Sequence, residues 1–420
     1  MNVLLSAIAC HPELGSEGGV GWKVATALSK QHRVHVMTSV AERSAIERVV
    51  ATGTNPNLSF TYFGTRAPYH RNRMAARLQS WLRYLDWTSK SIAVAKDLTS
   101  RRHFDLCHHV TYSSWRVPSP LWQLRLPFVW GPVGGASAYP WHLLGKLSVH
   151  SALFETARGL SNWHATQSRR LKACVQRSTS VVASNEETFE KLLALRGKSG
   201  GMHLLFPTFF TGQQVAMFQF DPADKPPADP IRLFAGGNII GSKGLIFALE
   251  ALQIAAQRGI KWRLVIGGHG PEVPFLKKKA HALGIDSWIE FHMGFSGSEY
   301  INKLKKSHVF ILPSFRENAG ITMLEAMLAG CVPIIVDASA QAAVVDSQFG
   351  FKIPVGEASA ISAGLANALE ILALNPEQRI EMGRKASAVV EHTFREETYV
   401  RKMSTIYEEA VRRKSSPPHR

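Results

Sequence analysis

The sequence has few cysteines, no long apolar run and no recognisable export signal. Its 420 residues include four cysteines, which form no C-x-x-C pair and have no histidine at metal-ligand spacing. This pattern argues against a disulfide framework or a zinc site, and it predicts reduced thiols in or near the core of a cytoplasmic protein. No stretch of about 18 or more apolar residues occurs, so no spanning helix is expected. The amino terminus lacks a basic region and a small-residue cleavage site, which favours a first β-strand over a signal peptide.

Acidic residues are in short supply relative to basic ones. The chain has 49 Lys and Arg against 32 Asp and Glu, for a formal net charge of +17. This excess favours anionic partners, namely nucleic acid, acidic lipid or phosphorylated substrates, without choosing among them.

Apolar strands, glycine turns and helical stretches alternate along the chain in two series. The first begins with a strand over residues 3–9, a glycine loop over 15–21, a helix over 22–30 and a strand over 32–38. The second begins at residue 231, after the proline- and charge-rich segment 221–230, whose composition predicts an extended linker. The pattern predicts an α/β protein with two doubly wound, Rossmann-like domains, and ligands are expected at the strand ends in a cleft between them.

Four segments follow from this division. We expect a first domain over residues 1–210, a linker over 211–230 and a second domain over 231–395. The remaining residues, 396–420, are expected to form a helix that crosses back to the first domain and a basic tail.

The most informative stretch runs from Pro313 to Gly330, across the end of a predicted strand and the start of a helix. A helix amino end offers free N–H groups and a positive dipole, which suit a diphosphate. A carboxylate in the loop, Glu317, and one on the helix, Glu325, can accept sugar hydroxyls. The alternative is a surface helix with two solvated glutamates. The strand-to-helix context and the turn into another apolar strand favour the ligand site.

These residues, with Ala326, Met327 and the Gly330–Pro333 turn, resemble the signature of family 4 of the retaining glycosyltransferases, the bacterial glycosyltransferase group 1. The resemblance implies a GT-B fold and transfer of a sugar from a nucleotide-diphosphate sugar to an acceptor hydroxyl, with no metal or other cofactor. It implies that Glu325 binds the donor ribose and that Glu317 contacts the donor sugar during catalysis. The backbone residues that would hold the diphosphate are Ala319, Gly320 and Ile321.

The segment 237–244 resembles the family's phosphate-gripping segment, which usually reads Gly-Arg-Leu, three residues, Lys-Gly. Gly237 and Lys243 match, and the resemblance implies that Lys243 neutralises charge on the leaving diphosphate. Asn238 stands where the arginine is usual, so the charge and the bidentate fork are lost. Either another basic residue substitutes or turnover is slower. A plain surface lysine is the alternative for Lys243, but its place at a helix start opposes the dipole.

Two further candidates lie in the first half. Gly15 and Ser16 belong to a loop that resembles the family's first-domain glycine loop, although an ordinary tight turn would read the same way. His108 and His109 end a predicted strand, where a histidine of this family often lines the sugar site. Strand alternation places their side chains on opposite faces, so one of the two is expected to be structural.

The basic segment 66–102 has apolar residues near helical spacing. It fits either an amphipathic helix lying on an anionic membrane or an ordinary domain helix with a solvated basic face. The expected setting is cell-surface polysaccharide or glycolipid assembly. The expected location is the cytoplasm, or peripherally the inner face of the cell membrane, and a lipid-linked saccharide is a further expectation for the acceptor. A nucleotide-sugar epimerase of the same fold is one alternative. A nucleic-acid-binding protein is another, although no basic–aromatic module for nucleic acid is evident.

Overall fold

The computed structural model describes residues 1–53, 55–64, 73–112, 114–197 and 199–415, without the side chains of residues 16, 17, 73–81 and 415. The chain divides into two compact units. Unit 1 comprises Met1–Ala136, His164–Pro207 and Glu397–Arg420, and unit 2 comprises Ser137–Trp163 and Thr208–Glu396. Residues 137–163 therefore belong to unit 2, although they come from the part of the sequence expected to form the first domain.

Unit 1 contains a seven-stranded sheet whose paired strands all run parallel, in the order β3-β2-β1-β4-β5-β6-β7. Its strands are β1 (Asn2–Ser6), β2 (Arg33–Ser39), β3 (Leu58–Phe63), β4 (Leu106–His109), β5 (Phe128–Val133), β6 (Ser180–Ala183) and β7 (Met202–Leu204). Consecutive residues of β1 and β4 are buried because helices cover both faces of such a sheet. The short strand β7 has no counterpart among the sequence-based expectations.

Unit 2 contains a six-stranded parallel sheet in the order β10-β9-β8-β11-β12-β13. Its strands are β8 (Ile231–Gly236), β9 (Trp262–Gly267), β10 (Ile289–His292), β11 (Val309–Leu312), β12 (Val332–Val336) and β13 (Phe351–Ile353). In each sheet the strand order reverses beside the first strand of the unit, β1 or β8. This is the strand order of the doubly wound α/β fold. The predicted fold class is confirmed.

The α-helices connect these strands. They are α1 (Ser16–Leu28), α2 (Arg43–Thr52), α3 (Arg73–Arg101), α4 (Val149–Thr166), α5 (Arg169–Arg177), α6 (Glu186–Arg196), α7 (Gly212–Phe218), α8 (Leu245–Gln257), α9 (Val273–Ala282), α10 (Gly297–Lys305), α11 (Ile321–Leu328), α12 (Ser339–Ala342), α13 (Ala358–Leu374), α14 (Pro376–Thr393) and α15 (Glu396–Ser415). Among the described residues, no single helix has both the length and the apolar composition to cross a membrane. Helices α13 and α14, which are bent by 108° relative to each other, reach that length and composition only when taken together.

The sequence predicts that the segment 211–230 is a linker, but in the structure this segment packs onto unit 2. It contains α7, whose amino end carries a capping box formed by Thr211 and Gln214. Its Lys225 ammonium donates hydrogen bonds to the carbonyl oxygens of Ser307 and Ala329, at 2.5 and 2.7 Å. Composition did not reveal this packing because the partners of Lys225 lie about a hundred residues along the chain.

The core of unit 2 shows why residues 137–163 belong to it. Tyr139, Leu143 and Leu147 join the apolar cluster formed by the sheet and α8. Ring centroids of Tyr139 and Phe315 are 4.9 Å apart in an edge-to-face arrangement. All four cysteines are buried and unpaired, as their scarcity and scatter predict.

Candidate active site

The predicted ligand segments of unit 2 meet where the strand order reverses. Strands β8 and β11 are neighbours, with Leu233 opposite Val309 and Phe234 opposite Phe310. Because the strands are parallel, the segment after β8 and the segment after β11 leave the same edge of the sheet. In open α/β sheets this reversal point is where ligands bind.

The two segments are fixed against each other by backbone contacts. The N–H of Phe315 donates to the carbonyl oxygen of Ser242 at 2.9 Å, and the hydroxyl of Ser314 donates to the same oxygen at 3.1 Å. A side chain at Gly244, whose φ is +62°, would place its Cβ 2.1 Å from the carbonyl oxygen of Pro313. Only glycine permits this approach, so packing requires the glycine that follows Lys243.

Lys243 and Glu317 form an ion pair between these segments. Only 15% of the Lys243 side chain and 10% of the Glu317 side chain are exposed. The Lys243 Nζ and the Thr322 hydroxyl each lie 3.7 Å from the position that a Cβ on Gly237 would take. The Lys243 ammonium and the Thr322 hydroxyl therefore both approach the backbone of Gly237.

The amino end of α11, which includes Thr322, therefore lies beside Gly237. Gly320 occupies its N-cap position with φ 58° and ψ 40°, and no side chain caps the helix there. The N–H groups of Met323 and Leu324 donate to the carbonyl oxygen of Gly320. The first amides of a helix have no partner within it, so this end suits an anion.

The backbone of Glu317 is held by Ser339. The Glu317 N–H donates to the Ser339 hydroxyl oxygen at 2.9 Å, and that hydroxyl donates to the Glu317 carbonyl oxygen at 2.7 Å. Ser339 has a φ of 60°, a left-handed conformation that is unfavourable for residues other than glycine. The reciprocal pair keeps it there. No local sequence pattern marks Ser339, so the sequence did not predict its contact with Glu317.

Glu325 lies on α11 and is fixed by a tyrosine of α10. The Tyr300 hydroxyl donates to Glu325 Oε2 at 2.6 Å. Burial, and then the negative charge of Glu325, raise the pKa of Tyr300 well above its usual value, so its hydroxyl stays protonated and remains a donor. Tyr300 sits 25 residues before Glu325 and carries no recognisable motif.

Asn238 is exposed. Within the part of the chain that the structure describes, its side chain makes no hydrogen bond. Arg316, which precedes Glu317, donates to the Glu155 carboxylate at 2.7 Å. Arg316 is therefore engaged with α4. Lys243 is the basic side chain that faces Gly237.

His108 and His109 are both buried in unit 1. Nδ1 of His108 lies 2.7 Å from the Tyr407 hydroxyl, and Nε2 lies 2.6 Å from the carbonyl oxygen of Gly131. Burial lowers the pKa of His108 to about 4 and that of His109 to about 3. The imidazole rings of His108 and His109 are thus both neutral near pH 7. Because both nitrogens of His108 are occupied within unit 1, this histidine suits a structural role.

Nδ1 of His109 lies 2.9 Å from the Ser6 hydroxyl, so the two histidines have different partners. In the first glycine loop, Gly15 precedes α1 as its N-cap and has open space where a Cβ would lie. The backbone of Ser16 begins α1, but its side chain is outside the described residues. So are the side chains of the basic segment over residues 66–81.

Among the described residues, no group of three or more His, Cys, Asp or Glu side chains could hold a metal ion. The Lys243 ammonium faces Gly237, and Glu317 is the ion-pair partner of Lys243.

Comparison with known proteins supports the same region. Residues 218–388 match the family model for glycosyl transferases group 1. The matched range lies within unit 2. The matched range includes the β8–α8 and β11–α11 segments, and with them Gly237, Lys243, Glu317 and Glu325.

Two curated relatives are similar to part of this chain. The GDP-mannose:cellobiosyl-diphosphopolyprenol alpha-mannosyltransferase of Xanthomonas campestris is 27% identical over 199 residues, covering 46% of this chain and 49% of the relative. The putative colanic acid biosynthesis glycosyltransferase WcaL of Escherichia coli is 25% identical over 202 residues, covering 46% and 48%. The match spans about half the length of each relative.

The fold resembles solved structures over nearly the whole chain. HepE of Anabaena, crystallised in complex with UDP, superposes with a TM-score of 0.63 at 14% identity, covering 96% of this chain and 99% of that one. At this identity the likeness establishes the fold. The chain has the GT-B fold, as the sequence resemblance implies.

Proposed function

We propose that this protein is a retaining glycosyltransferase that moves a sugar from a nucleotide-diphosphate sugar to an acceptor hydroxyl. The observation that carries the proposal is the arrangement around Gly237. The uncapped amino end of α11 and the Lys243 ammonium both lie beside Gly237, so a diphosphate bound there would meet free N–H groups and a cation. Glu317 and Glu325 are the carboxylates on either side of that end.

Each residue has one role in this proposal. The backbone N–H groups of Ala319, Gly320 and Ile321 bind the diphosphate, and Lys243 neutralises the charge that grows on it. Glu325, held by Tyr300, accepts hydrogen bonds from the ribose hydroxyls. Gly237 and Asn238 line the same side of the donor site.

Glu317 contacts the donor sugar in the reaction. The bond between the anomeric carbon and the diphosphate breaks while the acceptor oxygen bonds to that carbon on the same face. The acceptor proton passes to an oxygen of the leaving diphosphate. This route gives retention without an enzymatic nucleophile and requires no metal, because Lys243 and helix N–H groups carry the charge stabilisation.

We propose polysaccharide or glycolipid assembly as the setting and a lipid-linked saccharide as the acceptor. The name of the Xanthomonas relative, which acts on a diphosphopolyprenol-linked sugar, supports this acceptor class. The role of the WcaL relative in colanic acid biosynthesis supports the same setting. The UDP in the Anabaena structure and the GDP-mannose of the Xanthomonas relative define the donors to try first.

The test is a product assay with UDP-glucose or GDP-mannose as donor and a synthetic polyprenyl-diphosphate disaccharide as acceptor. The proposal predicts an acceptor heavier by one sugar residue, with the anomeric configuration of the donor preserved in its NMR spectrum. A product of inverted configuration would contradict the retaining mechanism. An epimerised sugar formed from donor alone would assign the site to an epimerase instead.

A further inference from the structure

Helix α4 turns polar residues inward. Ser151 and Glu155, one helical turn apart, are buried, whereas Val149 and Leu153 are 79% and 67% exposed. A helix packed on a domain normally shows the opposite polarity. Polar contacts therefore hold the buried side of α4, and they lead to the segments of the candidate active site.

The carboxylate of Glu272 lies at the amino end of α4. Glu272 is 3% exposed, and its Oε1 accepts hydrogen bonds from the hydroxyls of Ser148 and Ser151, the latter at 2.6 Å. The Ser148 hydroxyl oxygen also accepts the N–H of Ser151 at 3.3 Å. A negative charge at this end suits the helix dipole. The first turn of α4 is thus fixed to the residue that precedes α9.

The backbone around Glu272 holds the segment that follows β8. The Glu272 N–H donates to the carbonyl oxygen of Ile239 at 3.2 Å, and the Ile239 N–H donates to the carbonyl oxygen of His269 at 2.8 Å. A Cβ on Gly270 would lie 1.9 Å from the Ile239 carbonyl oxygen, so only glycine fits there. The turn between β9 and α9 is therefore bound to the segment that carries Lys243.

Helix α4 packs on the same segment at Gly241. A Cβ on this buried glycine would lie 2.7 Å from the Cβ of Ser151 and 3.3 Å from Cδ1 of Leu147. Gly241 begins the single 3-10 turn that contains Lys243, and the Gly244 N–H closes this turn on the Gly241 carbonyl oxygen at 3.0 Å. The place of Gly241 therefore sets the place of Lys243, two residues later.

We propose that Glu272 and Ser151 are positioning residues of the donor site. Glu272 holds Ser151 against Gly241, and this contact fixes the Lys243 ammonium beside Gly237. The inference rests on the proposed function, in which Lys243 neutralises the charge on the leaving diphosphate. Such stabilisation depends on a preorganised position, because a small misplacement of a charged group lowers the rate.

The test adds one methyl group at this contact. Gly241→Ala places a Cβ against Ser151, whereas the control Gly356→Ala adds one where space is open. In the product assay with the polyprenyl-diphosphate acceptor, we expect the kcat of Gly241→Ala to fall about tenfold or more and its donor KM to change only a few-fold. Gly356→Ala should keep wild-type kinetics.

A second substitution should reverse this loss. Ser151→Gly removes the Cβ that the new methyl group meets. We expect Gly241→Ala combined with Ser151→Gly to recover a kcat within about threefold of that of Ser151→Gly alone. A merely structural contact would change stability without this reciprocal effect on kcat. A Gly241→Ala enzyme with wild-type kcat, or a loss that Ser151→Gly does not relieve, would overturn the proposal.

A second measurement requires no activity. The coupling between Lys243 and Glu317 follows from the unfolding free energies of Lys243→Met, Glu317→Gln and the double variant, measured with and without Gly241→Ala. We expect Gly241→Ala to lower this coupling by about half or more. Unchanged coupling would overturn the positioning role. Lowered coupling in a chain that transfers no sugar would support the positioning role and count against the proposed function alone.

The variant Ser151→Ala serves if circular dichroism shows that Gly241→Ala does not fold. Ser151→Ala keeps the Cβ and removes only the hydroxyl that donates to Glu272. We expect its kcat to fall about threefold or more at an unchanged donor KM, and the coupling between Lys243 and Glu317 to fall with it. Wild-type values of both quantities would overturn the proposal.

Discussion

Arg316 and Glu155 form a buried ion pair at 2.7 Å although 161 residues separate them in the chain. The Glu155 side chain is 2% exposed and the Arg316 side chain 16%. The pair ties α4 to the residue that precedes Glu317. It links the anchoring of α4 to the position of a proposed donor contact.

Removing one partner of this pair should be costly. Glu155→Gln leaves the Arg316 charge buried without a counterion, and we expect the free energy of unfolding to fall by roughly 3 kcal/mol. The donor KM should rise because Arg316 no longer fixes the backbone beside Glu317. Urea unfolding and donor kinetics measure the two effects.

The control for this variant is the exposed pair of Glu381 and Arg384. Glu381→Gln should change the free energy of unfolding by no more than about 1 kcal/mol, because exposed pairs contribute little. Equal effects of Glu155→Gln and Glu381→Gln would show that burial gives the first pair no special weight.

Lys243 should affect turnover more than donor affinity. Lys243→Met keeps the length of the side chain and removes its charge, so the leaving diphosphate loses its nearest side-chain cation. We expect kcat to fall by about 100-fold or more and the donor KM to change only a few-fold. Steady-state kinetics with Lys278→Met, an exposed lysine of α9, provide the control. A Lys243→Met enzyme with wild-type kcat would remove Lys243 from the mechanism.

The conformation of Gly320 gives a prediction for stability. Gly320→Ala places a Cβ on a residue with φ of 58°, which should cost roughly 1 kcal/mol in unfolding free energy. Gly297→Ala, at the start of α10 where space is open, should be neutral or slightly stabilising. Urea denaturation compares the two. Equal stability of both variants would contradict the left-handed N-cap.

The buried histidines predict a pH dependence of stability. Burial lowers the pKa of His108 to about 4, below the 6.5 of an unfolded histidine. Between these values the unfolded chain binds more protons than the folded one, so stability is full above pH 6.5 and falls as the pH decreases toward 4. The contribution of His108 is roughly 3 kcal/mol.

His108→Gln should make the unfolding free energy depend less steeply on pH between 6.5 and 4. His150→Gln, an exposed residue of α4, should leave the slope unchanged. Urea unfolding at several pH values measures both slopes. A slope in His108→Gln as steep as that of wild type would show that this histidine does not titrate with the expected shift.

The sequence predicted the candidate site residues that local patterns encode, and the structure brings Lys243 and Glu317 together. Short strand–turn–helix motifs contain the glycines of the β8 segment, Lys243, and the glutamates around α11. The spacing of residues in such motifs predicts their chemistry. The two parallel sheets followed from alternating strands and helices.

Other parts depend on contacts between distant residues, and spacing says nothing about those. Tyr300 reaches Glu325 from another helix, and Ser339 holds Glu317 from the segment after β12. Residues 137–163 leave the first half of the sequence to pack in unit 2, which no local composition marks. The inverted polarity of α4 became visible only when its polar residues were seen with their partners.

The central claim is that a nucleoside diphosphate binds at the amino end of α11, with its ribose on Glu325. Isothermal titration calorimetry with UDP and GDP tests it most directly, using wild type, Glu325→Ala and the exposed control Glu357→Ala. We expect one of the two diphosphates to bind wild type and Glu357→Ala equally, and to bind Glu325→Ala at least about tenfold more weakly. Equal affinity in Glu325→Ala, or no binding of either diphosphate to wild type, would contradict the account.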